Sequence, residues 1–474
     1  MNQVVFRADS SENIGAGHVM RCLSFANLLS SFGWLCTFAC VPGTVESVRP
    51  LGRSIHKIIL IPFEIEKQSK VIRDSLSQDV NLLVVDHYDL GFEFESESRI
   101  WAKKILVIDD LANRTHDADF LLDQTYNRKV SDYKSLVSDN CHIITGSKNS
   151  LLRKEFPSLR QAALKRRDAS KGKLKQLLVS FGSSDTMNNT CQILEAISNT
   201  KLDFNVDVIL GSSAPFIDKV KEQIKADSKV KLYVDVDNMA EFMFKADLAI
   251  GAGGTTSWER CSLGLPSMTL TIADNQELIN ENLNKINAII NLGFPSRSSF
   301  RSMTKLLVKM NNDSSILKKL SLNSRRISDG NGCMRVFFKI FGYCWTSDLN
   351  KIHLELLEDG DKQKISNWLS NESIKVVNPK LLINSLTSNK NDCFLMIKYN
   401  DNDAGILWIK LLEKKKIEIA NYLSFDFRGH GITRCIFFIV SKLFPGFDLS
   451  TNLISKNNVP HDLASEFGIN LVNN

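Results

Sequence analysis

The stretch Gly251-Ala-Gly-Gly-Thr-Thr-Ser-Trp-Glu-Arg260, continued by Cys261-Ser-Leu-Gly-Leu-Pro266 and Ala273-Asp-Asn-Gln-Glu277, decides how the rest of the chain reads. The residues before it, Ala246 to Ile250, suit a short buried strand, and three glycines with two threonines then open a helical run. Glycine admits close backbone approach, while the first amides of a helix lack intrahelical acceptors and carry partial positive charge. The segment holding Gly253, Gly254, Thr255 and Thr256 is therefore suited to a pyrophosphate. Glu259, about one helical turn further on, stands where a carboxylate would accept hydrogen bonds from a ribose diol. The same pattern also fits an ordinary strand-to-helix turn with Glu259 on a solvated face, and spacing alone does not separate the two.

Working outward, a chain of 474 residues exceeds one domain, and two or three are expected. Its composition, 43% hydrophobic and 24% charged, is that of a globular protein able to bury a core. The net charge of +6 is small for this length and gives no reason to invoke nucleic acid, whereas an anionic small molecule suits it. Ten cysteines are scattered without a CxxC pair, and Cys36, Cys40 and Cys435 sit in apolar runs. Buried free thiols in a reducing cytosol are expected, and no spacing points to a metal site. The opening Met-Asn-Gln-Val-Val-Phe-Arg-Ala-Asp lacks a charged segment followed by an apolar one, and no apolar run reaches about 18 residues. A soluble cytoplasmic protein without membrane insertion is the expectation.

The first block alternates strands with helical runs: Val4 to Ala8, a helix from about His18 to Ser31, then strands at Trp34 to Ala39, Lys57 to Ile61, Leu82 to Asp86 and Ile105 to Asp109. Such alternation predicts a mainly parallel sheet flanked by helices. The loop Asn13-Ile-Gly-Ala-Gly-His-Val-Met-Arg21 joins the first strand to the first helix, where open α/β sheets present their ligand sites. His18 at a helix start is a candidate acid or base near neutral pH, although a lone His there also serves as a cap or a phosphate ligand. Asp86-His-Tyr88 and Asp109-Asp110 end apolar runs where a sheet points into a cleft. Those carboxylates suit sugar hydroxyls, an amino group or a water, and at least one of Asp109 and Asp110 is expected to cap the next helix.

From about Pro157 to Lys175 the chain turns basic, which predicts a solvated linker helix and a first boundary. A second α/β series follows, with strands from Leu177, near Val206 to Leu210, at Lys231 to Val234 and at Leu248 to Ile250. After Asp329 a helical run is expected to reach about Trp345, and the composition then shifts toward Asn, Ser and Lys. The remainder reads as helical runs followed by strands at Phe394 to Lys398, Gly405 to Leu411 and Lys416 to Leu423. Phe427-Arg-Gly-His-Gly431 then opens an apolar helix through Val440, a second, weaker candidate for an anion site.

Taken together, Phe6-Arg-Ala-Asp9, Ile14-Gly-Ala-Gly-His-Val-Met-Arg21, Val107-Ile-Asp-Asp-Leu111, Leu151-Leu-Arg-Lys-Glu-Phe156, Gly251 to Arg260, Gly264-Leu-Pro266 and Asn275-Gln276 resemble the UDP-2,4-diacetamido-2,4,6-trideoxy-β-L-altropyranose hydrolases of pseudaminic acid biosynthesis. That family is akin to the GT-B glycosyltransferases, and the resemblance covers the first 345 residues or so. It implies two Rossmann-like domains, 1–160 for the sugar and catalysis and 173–345 for UDP. It gives His18 the catalytic position, assigns Asp9, Gly17, Arg21, Asp86 and Asn275 to the substrate, and assigns Gly253, Gly254, Thr255, Thr256 and Glu259 to UDP. The sequence departs from the family at Gly182-Ser-Ser-Asp-Thr186, where a second Gly and a Pro are usual. The implied reaction is hydrolytic release of UDP without a metal. A transferase using another acceptor, or a UDP-sugar-binding protein without turnover, would keep much of the same pocket.

The last segment, 350–474, resembles the GNAT acetyltransferases, a smaller α+β domain. Arg428-Gly-His-Gly-Ile-Thr433 is similar to their pyrophosphate loop, and Asn457 with Phe467-Gly-Ile469 to their later motif. The resemblance implies acetyl-CoA as cosubstrate at Arg428, Gly429, Gly431, Ile432 and Asn457, with N-acetylation of a 4-amino-sugar precursor as the joined step. Thr433 and Ala464 depart from the family's small residue and its Tyr proton donor, and a domain kept for packing or dimerisation is the alternative.

Overall fold

The computed structural model describes residues 2–10, 15–170, 174–200, 202–225, 227–358, 360–371, 392–413, 415–451 and 461–471. Asn13, Ile14, residues 171–173 and Asn457 of the sequence reading lie outside them. Two compact bodies result: one holds Gln3–Asn27 and Cys36–Cys333, and the other holds Asn2, Leu28–Leu35 and the described residues from Met334 onward.

The larger body contains two α/β layers. In the first, β1 (Gln3–Ala8), β2 (Leu35–Cys40), β3 (Lys57–Leu60), β4 (Leu82–Asp86), β5 (Ile105–Ile108), β6 (Phe120–Asp123) and β7 (His142–Thr145) make a seven-stranded sheet in the order β3-β2-β1-β4-β5-β6-β7. The second has six strands in the order β10-β9-β8-β11-β12-β13, built from β8 (Gln176–Ser180), β9 (Asn205–Leu210), β10 (Val230–Val234), β11 (Leu248–Ala252), β12 (Ser267–Leu270) and β13 (Ile290–Asn291). All pairings in this second sheet are parallel. Val4, Val5 and Phe6, like Leu82 to Val85, are buried, as expected of strands covered by helices on both faces. In each sheet the strand order reverses once, between β1 and β4 and between β8 and β11. Such a reversal opens a crevice beyond the carboxyl ends of the strands, where α/β sheets bind ligands.

Several local expectations are corrected. The strand expected at Ala246 to Ile250 is β11, Leu248–Ala252, because Ala246 closes the preceding helix Met239–Lys245. Gly251 belongs to the strand: a β-carbon there would stand 2.1 Å from the Ser180 carbonyl oxygen of β8. The four-residue strands β6 and β7 were not expected, nor were β12 and β13.

The basic run is not a solvated linker. It forms the helix Glu155–Ala169, with Pro157 in its first turn, where the missing amide proton costs nothing. Arg167 is buried and donates to the carbonyls of Met243, Ala246 and Leu263. Arg160 donates to Ser262, Arg325 and Ser328, and Arg166 to Lys245 and to Asp247 at 2.8 Å. The carbonyls of Met243, Lys245, Ala246, Ser262, Leu263 and Arg325 end neighbouring helices, whose last turns lack intrahelical donors and carry partial negative charge. The arginines are spent on holding the second layer together.

In the smaller body, the helix Gly332–Phe341 ends before Trp345, because Gly342 turns the chain close against Phe338 and Tyr343–Trp345 becomes a strand, β14. It joins β15 (Lys351–Leu356), β16 (Asp392–Tyr399), β17 (Asn402–Leu412), β18 (Lys416–Leu423), β19 (Asp448–Thr451) and β20 (Ile469–Leu471) in a sheet of seven in chain order. A strand, β15, therefore precedes the helical run expected to open this region. Pairing is antiparallel from β14 to β18, then parallel from β18 to β20. Its core includes the segment Leu28–Leu35: Phe32 lies 4.9 Å from Phe337 and from Phe444 between ring centroids, and Trp34 Nε1 donates to the Leu443 carbonyl at 2.9 Å. Among the described residues no helix is long and apolar enough to cross a membrane. All ten cysteines are free.

Candidate active site

Asp86 ends β4 in register with Ala8 at the end of β1, and the helix Gly17–Ser31 begins just after β1. This topology delivers His18, the second residue of that helix, to the Asp86 carboxylate. His18 Nδ1 is 2.5 Å from Asp86 Oδ1. Arg21, one turn along the same helix, donates from Nε to Asp86 Oδ2 at 2.6 Å and from Nη2 to Oδ1 at 2.7 Å. Burial would raise the Asp86 carboxyl, but the Arg21 charge and the hydrogen bonds from Arg21 and His18 outweigh it and hold the group well below the usual carboxylate range. An ionised Asp86 accepts the Nδ1 proton of His18, fixes that tautomer and leaves Nε2 as the basic nitrogen.

Two further residues complete this cluster: Asp110, read from the sequence as a candidate cleft carboxylate or helix cap, and Tyr88, to which sequence reasoning gave no role. Asp110 Oδ2 lies 3.2 Å from Arg21 Nη1, and its Oδ1 accepts from the Tyr88 hydroxyl at 3.1 Å. The Tyr88 ring stands edge-on to His18, with centroids 4.7 Å apart. The available signal was spacing: Tyr88 lies two residues past a strand-ending aspartate. Asp109, by contrast, is fully buried and accepts from the Ala112 amide and from Tyr133. It pins its own loop, and no helix follows for either aspartate to cap; the next helical element begins at Val130. Asp9 is also turned inward: its oxygens meet Arg7 at 2.7 Å, His87 at 3.3 Å and the Val41 amide at 2.9 Å. Burial pushes this carboxyl up, while His87 and Arg7 more than offset that and bring it down to about 2.

In the second layer the glycine loop follows β11. A β-carbon on Gly253 would stand 2.1 Å from the Asn280 side chain, so this position admits only glycine without rearrangement. The Gly253 amide donates to Gln276 Oε1 at 3.3 Å, while Gly254, Thr255 and Thr256 lead into the helix Thr256–Ser262. Glu259, in that helix, pairs with Arg153 at 3.1 Å, and the Arg153 guanidinium lies over the buried Phe156 ring at 5.4 Å. Arg153 belongs to the Leu-Leu-Arg-Lys-Glu-Phe run but carried no assigned role.

The two layers meet at these loops. A β-carbon on Gly17 would lie 3.7 Å from Thr255 Oγ1, and Asn275 Nδ2 is 3.0 Å from the Tyr88 hydroxyl. His18, Arg21 and Asp86 of the first layer thus lie next to the point where Thr255 and Asn275 of the second approach Gly17 and Tyr88. Asp9 instead pairs with Arg7 and His87.

In the smaller body, Gly429 and Gly431 adopt φ of +85° and +69°, and a β-carbon at either would meet nothing within 4 Å. Arg428 Nε donates to the Leu423 carbonyl at 3.2 Å, and Ile432 is buried as the first residue of the helix Ile432–Leu443. This exposed turn sits between the parallel strands β18 and β19.

Comparison with a solved structure defines the class of fold. The chain is similar to the crystal structure of Acinetobacter baumannii MurG, with a TM-score of 0.50 and 16% identity over 71% of this chain and 98% of that one. The likeness is one of fold: parallel α/β layers of the GT-B glycosyltransferase kind.

Among curated proteins, the UDP-2,4-diacetamido-2,4,6-trideoxy-β-L-altropyranose hydrolase of Campylobacter jejuni is 28% identical over 278 residues, 58% of this chain and 93% of that protein. The uncharacterized protein MJ1062 of Methanocaldococcus jannaschii is 27% identical over 274 residues, 56% of this chain and 55% of that protein, so the match spans about half the length of that relative. No family model matches the chain.

Proposed function

We propose that this chain hydrolyses UDP-2,4-diacetamido-2,4,6-trideoxy-β-L-altropyranose to UDP and the free sugar. The observation that carries the reading is the His18–Asp86–Arg21 cluster, His18 Nδ1 standing 2.5 Å from Asp86, set opposite the glycine loop that follows β11. Asp86 accepts from Nδ1, so Nε2 of the neutral imidazole takes a proton from water as the water oxygen bonds to the anomeric carbon. The bond from that carbon to the phosphate oxygen breaks, and UDP leaves with the electron pair. Amides at Gly254, Thr255 and Thr256 stabilise the departing diphosphate, and Glu259 accepts from the ribose hydroxyls once it parts from Arg153. The 28% identity to a hydrolase named for this substrate supports the choice of sugar.

For the smaller body we infer acetyl-CoA binding at Arg428, Gly429, Gly431 and Ile432, with N-acetylation of the 4-amino precursor as the partner step. Support comes from the strand, glycine turn, helix and parallel strand in succession, with both glycines in a left-handed conformation and exposed. Titration of the full chain with acetyl-CoA, against a Gly431→Val variant, tests this directly.

The hydrolase reading is tested by UDP release in the presence of a chelator. Wild-type turnover is expected to persist and His18→Ala to lose about 10²–10⁴-fold in kcat. Robust turnover by His18→Ala, with UDP binding intact, would remove His18 as the base.

A further inference from the structure

Asp110, Tyr88 and Asn275 form a hydrogen-bonded chain whose polarity follows from chemistry. Asp110 Oδ2 pairs with Arg21 Nη1 at 3.2 Å, so the carboxylate is an acceptor only. Tyr88 has one proton and gives it to Asp110 Oδ1, at 3.1 Å. Its oxygen can then only accept, so Asn275, 3.0 Å away, must turn its NH₂ toward it. The amide orientation is fixed without appeal to how nitrogen and oxygen look alike in shape. Burial, with the Asp110 charge beside it, pushes the Tyr88 phenol up, so the relay proton stays in place at neutral pH. What Asn275 keeps is its carbonyl Oδ1 and its second Nδ2 proton, on an exposed side chain, and the relay bars the amide flip that would exchange their places.

We propose that Asp110 is a positioning residue which, through Tyr88, presents Asn275 to the sugar as a hydrogen-bond acceptor, so that the site selects a sugar carrying an N–H or O–H donor at that point. This rests on the reading of the cleft as a nucleotide-sugar site. An acetamido N–H satisfies such an acceptor. A sugar offering only an ether or carbonyl oxygen there leaves two acceptors facing each other, which a water-poor site penalises.

A polarity swap tests the relay. Asn275→Asp places an acceptor-only group against a Tyr88 oxygen whose proton is already given to Asp110. We expect kcat/KM for the UDP-sugar to fall at least tenfold at pH 8, chiefly through KM, with UDP affinity within twofold of wild type. Activity should recover toward acid pH as the introduced carboxyl gains a proton. In the double variant Asp110→Asn/Asn275→Asp, the new amide donates to Tyr88 and Tyr88 donates to the new carboxylate, and at least fivefold of the loss should return at pH 8.

A wild-type pH profile for Asn275→Asp, or a double variant no better than the single while both bind UDP normally, would overturn the proposal. Thermal unfolding of the unliganded variants reads the same relay without substrate: Asn275→Asp should lower Tm at pH 8 and the double variant should regain it. If the wild-type protein releases no UDP, the functional reading falls, while recovery or non-recovery of Tm still upholds or overturns the relay.

Discussion

The two α/β layers share a parallel sheet with one reversal of strand order, yet they furnish their strand ends in opposite ways. The first places ionisable side chains there: His18 and Arg21 after β1, Asp86 at the end of β4 and Asp110 after β5. The second places backbone there, with glycines so close to Ser180 and Asn280 that no side chain fits. Side-chain chemistry is tunable by charge and tautomer, whereas amide chemistry is fixed by the shape of the chain. A substitution among the first layer's side chains should therefore show in kcat or in pH dependence, and one in the second layer's glycine loop in nucleotide affinity and stability.

The largest contrast should come from the side-chain layer. His18→Ala should cost about 10²–10⁴-fold in kcat while UDP affinity, measured by titration calorimetry, changes less than twofold. A parallel loss of UDP affinity would erase the division between the layers. Asp86→Ala strands the buried Arg21 charge with only Asp110 at 3.2 Å, and denaturant unfolding should show a loss of about 3–5 kcal/mol besides inactivity.

In the backbone layer, Gly253→Ala brings a β-carbon within 2.1 Å of the Asn280 side chain, which must move aside, and should cost about 1–3 kcal/mol in stability together with weaker UDP binding. Unchanged KM and stability would show that the loop is not held by shape.

A pH effect separates Asp9 from the catalytic cluster. Its folded carboxyl is brought down to about 2 from an ordinary value of 3.8, so its contribution is fully present above the unfolded value and is lost as pH falls through about 2. That amounts to roughly 2 kcal/mol of stability, and Asp9→Asn should flatten the fall in Tm between pH 4 and pH 2. The smallest effect is expected for Arg153→Met. Its pair with Glu259 is partly exposed, and freeing the carboxylate should change UDP affinity only a few-fold, on the order of 1 kcal/mol or less, read by calorimetry.

How much of this was legible in the sequence follows the same line. His18, Asp86 and the glycine loop stand at ends of apolar runs, and the run from Leu82 to Asp86 matches β4 residue for residue. Phe120–Asp123 and His142–Thr145 carry only three and two apolar residues and are fixed by pairing, the first between β5 and β7 and the second at the edge of the sheet. The arginines of the helix Glu155–Ala169 read as solvated because their acceptors include carbonyls that lie some 76 to 168 residues away. Asp110 reads from the sequence as a cleft carboxylate, but Tyr88 escapes notice as a site residue for a related reason: it acquires its role from partners that only the folded sheets bring near, Asn275 lying 187 residues beyond it. Gly342 hides β14 because Phe-Gly-Tyr-Cys-Trp continues the apolar pattern of the helix before it.

The most direct measurement is time-resolved NMR of the purified full chain with UDP-2,4-diacetamido-2,4,6-trideoxy-β-L-altropyranose, without acceptor or added metal. If His18 and the glycine loop act as proposed, UDP and the free sugar appear together in equal amounts. Intact substrate, with binding demonstrated in the same sample, would contradict that.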